Sequence, residues 1–164
     1  MTTGATFGSR ERAALARAAT AALEAAAESA ARELDRHAAG FGLSNAKLEM
    51  LEVLRCCAGL RTCLYDLGDR LGVTRPNITK LVDGLERGGL VERIPHPADK
   101  RMVQAHLTVR GAALADWALP GREERIERLW AGLDDEELLT LIHLLEIAAA
   151  GARQQRLEAG TASA

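Results

Sequence analysis

Arg75, Asn77, Thr79 and Lys80 place guanidinium, amide, hydroxyl and ammonium groups close together in the middle of the chain. On the exposed face of a helix, such a set can read base edges in the major groove of duplex DNA, where each base pair shows its own donor and acceptor pattern. Thr74 stands in front of them as a helix cap. Pro76 falls inside the first turn, where its missing N–H costs nothing. A helix N-terminus also favours a phosphate. Arg87 and Arg93 follow as further cations. The segment Pro95-His96-Pro97-Ala98-Asp99-Lys100-Arg101 has two prolines and two adjacent cations. A hairpin tip of that kind can reach a minor groove, where a narrow A·T-rich stretch concentrates negative potential. Each feature has a plainer reading. Asp99 and Arg101 also suit a solvated hairpin pair, Lys80 and Arg87 suit an ordinary charged helix face, and His96 suits a solvated tip as well as a phosphate contact. Asp83 and Glu86 oppose phosphate contact and are suited to orienting neighbouring cations.

Cys56, Cys57 and Cys63 are the chain's three cysteines. They read either as a thiol switch, with Arg55 or Arg61 stabilising a thiolate, or as small buried apolar residues. They do not make a disulfide framework, and no second ligand pair stands at zinc spacing. The carboxylates from Asp134 to Glu137 look like helix-start charges. With no Ser/His/Asp set, phosphate loop or metal motif, we expect neither an enzyme nor a cofactor.

Composition narrows the class. The chain has 164 residues, enough for one domain with a real core. Its net charge of −2 divides unevenly: the stretch from Leu60 to Arg110 carries +3 and the remainder −5. A basic middle in a mildly acidic protein fits a nucleic-acid reader better than a nonspecific polycation, although charge also fluctuates along any chain. Aromatics at 3% argue against a stacking surface for single strands. No apolar run is long enough to span a bilayer, and the N-terminus lacks a signal-peptide pattern. The expectation is a cytoplasmic protein without a membrane partner.

The elements that must position these residues follow from periodicity. Residues 1–8 lack it. From Ser9 to about Ala39 the chain reads as one long helix with a thin stripe, because 14 of the 27 residues from Ala13 to Ala39 are alanine. Alanine gives helix propensity but little buried area, so this helix needs a close partner. Ser44 is placed as the next cap, before a buried helix carrying Leu48, Leu51, Val53, Leu54 and Cys57 and ending near Gly59. A short extended piece covers Leu60 to Thr62. Leu64, Leu67 and Leu71 mark a two-turn helix. After a Gly72-Val73 turn, Ile78, Leu81, Val82 and Leu85 fall at i, i+3, i+4 and i+7 of another. Leu90–Ile94 and Met102–Thr108 read as a two-stranded hairpin. Arg110 to about Leu133 reads as a helix bent at Pro120-Gly121. Asp134 and Glu137 form a capping box for the last helix. That helix's broad stripe of Leu138, Leu139, Leu141, Ile142, Leu144, Leu145 and Ile147 suggests burial on two sides.

Two short helices and a basic-tipped hairpin make a winged helix-turn-helix, and the fold class is mainly α with a small β-hairpin wing. The run Leu67-Gly68-Asp69-Arg70-Leu71-Gly72-Val73-Thr74-Arg75-Pro76-Asn77-Ile78-Thr79-Lys80-Leu81-Val82-Asp83-Gly84-Leu85-Glu86, then Gly89-Leu90-Val91-Glu92-Arg93, resembles the MarR (multiple antibiotic resistance regulator) family. Pro97-Ala98-Asp99-Lys100-Arg101 followed by Leu107-Thr108-Val109-Arg110-Gly111 matches that family's Asp-x-Arg wing signature. The resemblance covers roughly residues 43–150. It implies a homodimer held by the first and last two helices, with two winged lobes on a near-palindromic operator in double-stranded DNA. It puts Arg101 in the minor groove, oriented by Asp99, and the helix from Arg75 in the major groove. It implies a repressor released by a small, often anionic aromatic effector or by cysteine oxidation. Redox-sensing relatives often carry their reactive cysteine in the first helix, and this first helix has none. His37, Arg36, Phe41, Met50, Cys57 and Trp117 are the candidates to line an effector cleft, with ordinary packing as the alternative.

The expected organisation is an unstructured 1–8, a dimerisation helix at 9–42, the winged lobe at 43–109, C-terminal dimerisation helices at 110–158 and an unstructured 159–164. Two rivals stay open: a thiol-based redox sensor acting through Cys56, Cys57 or Cys63, and a protein-interaction module that does not bind DNA.

Overall fold

The structure is a computed structural model that describes residues 8–99 and 102–161. Expectations for residues 1–7 and 162–164, and for the placement of Lys100 and Arg101, lie outside it. The chain divides into two compact units, with the boundary between Ile126 and Glu127. The first compact unit therefore takes in most of the helix that follows the wing.

Helix α1 spans Ser9–Ala39, and Glu11 accepts the N–H of Gly8 at its start. Ala38 is its only fully buried residue, while Leu15 and Leu23 are about half exposed. Helix α2 spans Asn45–Cys56 and buries Leu48, Met50, Leu51 and Leu54. Ser44 does occupy the position before it, but its hydroxyl caps nothing. The carboxylate of Asp35 instead accepts the N–H of Asn45 at 2.8 Å, so α1 supplies the cap of α2.

Helix α3 (Leu64–Leu71) and helix α4 (Arg75–Arg87) are joined by Gly72, at φ 63°. The N–H groups of Gly72 and Val73 return to the carbonyls of Asp69 and Gly68, which closes the end of α3. Only a residue at ease in the left-handed region makes that turn without strain. On α4, Ile78, Val82 and Leu85 are buried against the core formed with α2, Leu67, Val91, Ala105 and Leu107. The spacing read from the sequence is the spacing that packs.

The expected hairpin is part of a three-stranded sheet. Strands β1 (Arg61–Cys63), β2 (Val91–Pro95) and β3 (Val103–Leu107) lie in the order β1-β3-β2, all antiparallel. Thr62 faces Ala105 on one side of β3, and Arg93 faces it on the other. The short extended piece after α2 thus completes the hydrogen bonding of β3, whose outer edge would otherwise stay open.

Helix α5 spans Val109–Trp130 without interruption through Pro120, and it starts one residue earlier than expected. Thr108 does more than end a strand. Its hydroxyl donates to the Gly89 carbonyl at 2.8 Å and accepts the Gly111 N–H at 3.0 Å, capping α5. Gly111 itself has no room for a side chain: a Cβ there would lie 2.0 Å from the Leu90 carbonyl oxygen. That carbonyl also accepts the Thr108 N–H, so strand root and helix start are joined at one oxygen. Further along, Arg122 is buried and binds Glu52 at 2.8 Å and Asn45 at 3.2 Å, tying α5 to α2.

In the second unit, helix α6 spans Asp135–Thr161, past the expected edge at 158. Asp134 and Glu137 exchange the two bonds of a capping box, at 2.9 and 3.0 Å. None of its described side chains is buried, and Leu139, Ile142, Leu144 and Ile147 are each more than half exposed.

Candidate nucleic-acid interface

The apolar side of α4 fixes which residues face out. With Ile78, Val82 and Leu85 turned inward, Thr74, Arg75, Pro76, Asn77, Thr79, Lys80 and Arg87 are all exposed. The backbone of Thr74 takes the cap conformation, but its hydroxyl makes no cap bond. Its carbonyl accepts the N–H groups of Asn77 and Ile78, which starts the helix. The Arg75 guanidinium lies 5.2 Å from the ring centre of Tyr65 on α3. That cation–π contact holds a flexible side chain at the start of α4. Sequence reading missed Tyr65, whose signal was an aromatic on the exposed side of the preceding helix. Arg87 turns back to the Asp83 carbonyl at 3.2 Å, and the Thr79 hydroxyl donates to the Arg75 carbonyl at 3.1 Å.

Arg93 is placed differently from the other cations. It projects from β2 to α4 and binds Asp83 at 2.5 Å, together with Glu86 and the Thr79 carbonyl. Burial works against its charge, but the bonds to Asp83 and Glu86 outweigh it and hold the guanidinium pKa above its ordinary value.

The wing tip is closed from within. His96 Nδ1 accepts the N–H groups of Ala98 and Asp99 at 3.2 and 3.3 Å. The Met102 N–H donates to the Asp99 carbonyl, and the His96 N–H to the Met102 carbonyl. His96 is therefore a clasp of the tip and not simply a solvated residue. Asp99 stands in this closed turn directly before Lys100 and Arg101.

The effector candidates separate. Phe41 and Trp117 meet edge to face at 5.3 Å and line a cavity of about 420 Å³ with Leu43, Lys47, Leu90 and Arg110. His37 packs edge-on against Phe41 and donates through Nε2 to the Ala118 carbonyl at 2.8 Å, so it supports the wall without lining it. Met50 is wholly buried in the core and cannot line the cavity. Cys57 is half-buried just past α2 and is not part of the lining. Lys47 and Arg110 were missed as cleft residues because only folding brings them beside the aromatics. Arg36 pairs with Glu33 on its own helix.

Of the redox candidates, Cys56 is exposed and Cys63 is buried on β1. Arg55, expected as a thiolate neighbour, is bound to Asp116 at 2.8 Å. That hydrogen bond, with the carboxylate's charge, raises the Arg55 pKa. Among the described residues, no three His, Cys, Asp or Glu side chains are grouped to hold a metal, and no helix is long and apolar enough to cross a membrane.

A cationic helix held by its apolar face, beside a small antiparallel sheet, defines a winged helix-turn-helix. The MarR family profile matches residues 64–102. The chain is 35% identical to the HTH-type transcriptional repressor YetL of Bacillus subtilis, over 68% of this chain and 67% of that protein. It is 32% identical to the multiple antibiotic resistance protein MarR of Escherichia coli, over 70% of this chain and 79% of that protein. Two further Bacillus subtilis regulators align over 60% and 57% of their own lengths. A crystal structure of a cysteine-to-serine mutant of E. coli MarR complexed with operator DNA superposes with a TM-score of 0.71. The identity there is 27%, over 79% of this chain and 91% of that one. The chain belongs to the MarR family and is a transcriptional regulator, not an enzyme.

Proposed function

We propose that this chain is a homodimeric repressor that grips a near-palindromic DNA operator and releases it on binding a small anionic aromatic effector. The observation that carries the DNA reading is the exposed row on α4, Arg75, Asn77, Thr79 and Lys80, set on a helix whose other side is locked into the core. The operator-bound relative supports the same assignment. In this reading Arg101 enters the minor groove and Lys100 meets phosphate. The apolar face of α6 supports dimerisation, since charged or polar side chains would be expected there if water were its only neighbour. The cavity beside Phe41 and Trp117 supports an effector with an aromatic ring and an acid group, because Lys47 and Arg110 supply cations at its wall.

Selection from a random duplex pool identifies the operator. Fluorescence anisotropy at fixed salt then tests the wing: Arg101→Ala weakens binding by about 1–3 kcal/mol while the dimer persists by sedimentation. Unchanged affinity removes Arg101 from the interface.

A further inference from the structure

We propose that Arg93 is a positioning residue that sets the wing against the reading helix and does not itself contact DNA. The proposal rests on the DNA-binding reading above. Arg93 lies in the middle of β2, one of the two edge strands of the sheet. Its Nη2 reaches Asp83 at 2.5 Å and the Thr79 carbonyl at 3.4 Å, while Nη1 binds Glu86. The backbone N–H of Arg93 donates to the other oxygen of Glu86 at 3.2 Å. Positions 79, 83 and 86 stand at i, i+4 and i+7 along one side of α4. One planar fork therefore grips the reading helix over two turns, and one carboxylate grips the strand by side chain and backbone together.

A lone surface ion pair contributes little, because two mobile side chains must be ordered for a screened attraction. This cluster differs in kind. Its acceptors are spread along a helix, its donor sits on a strand, and a main-chain bond closes the set. Sliding or tilting the wing against α4 breaks several bonds together. The cluster also explains why two acids are tolerated on a helix that approaches phosphates: both are engaged by the same guanidinium. A lysine cannot replace it, because a point charge lacks the fork that holds separate acceptors.

The test uses the full-length protein and its selected operator. Asp83→Ala with Glu86→Ala removes two negative charges from the DNA side. If those acids were only repulsive, binding would tighten. The clamp instead requires binding about tenfold weaker. Arg93→Ala weakens binding similarly but leaves the slope of log K against log salt unchanged, whereas loss of a phosphate contact lowers that slope by about one. Arg93→Lys does not restore affinity. Without DNA, hydrogen exchange of the β2 and β3 amides quickens about tenfold in Arg93→Ala while circular dichroism shows the helices intact. Tighter binding by the acid-less variant, a reduced salt slope, rescue by lysine or unchanged exchange each overturns the proposal. A wild-type chain that selects no duplex overturns the DNA reading instead, and the exchange result still decides whether the clamp exists. Should Arg93→Ala fail to fold, Glu86→Ala alone serves for both measurements.

Discussion

Helices α4 and α6 both carry apolar residues at helical spacing, yet they end in opposite surroundings. On α4, Ile78, Val82 and Leu85 are enclosed by the lobe's own core. On α6, Leu139, Ile142, Leu144 and Ile147 remain more than half exposed. Burying one such side chain is worth roughly 1.5–3 kcal/mol, so α6 leaves several favourable burials unmade. The difference separates two tasks. The apolar face of α4 is covered within one chain, whereas that of α6 is left uncovered by it, which is what the proposed pairing with a second copy would use.

The sharpest way to break that contrast is to charge the exposed stripe. Leu139→Glu with Ile142→Glu would bury unpaired carboxylates in a dimer. The expected weakening of dimerisation is about 3–5 kcal/mol, read by sedimentation, with the lobe still folded. A dimer that survives at wild-type strength removes the stripe from the interface. Gly111→Ala probes the other side of the contrast. It forces a methyl into the Leu90 carbonyl, and a loss of about 3 kcal/mol in urea unfolding is expected. The defect lies within one chain, so raising the protein concentration should not repair it. The smallest effect belongs to Asp134→Ala. Losing one half of the capping box costs about 1 kcal/mol and frays the first turn of α6, visible as faster amide exchange confined to that turn.

Sequence reading succeeded where the determinant is local. The ends of α1, the turn at Gly72, the inward face of α4 and the Asp134 box all depend on residues within about two turns of each other. It failed where a partner arrives from elsewhere in the chain. The third strand needed β3 to lie beside Arg61–Cys63. Ser44 was a sound candidate cap by residue type, but Asp35 came closer in space. Arg93 was read from its charge alone, and its bonds to Asp83 and Glu86 on α4 became visible only once β2 was placed beside that helix. Met50 matched a cleft residue by type and proved to be core. In the site itself, the exposed row on α4 was legible, whereas the aromatic and cationic wall of the cavity was legible only in its aromatics.

The oxygen shared by Thr108 and the bare methylene of Gly111 works as a welded joint. Strand root and rod meet there with no room for a side chain between them, so the two are coupled at that point. A shift at the ribbon's root is therefore handed on to the first turn of α5 through a single main-chain oxygen.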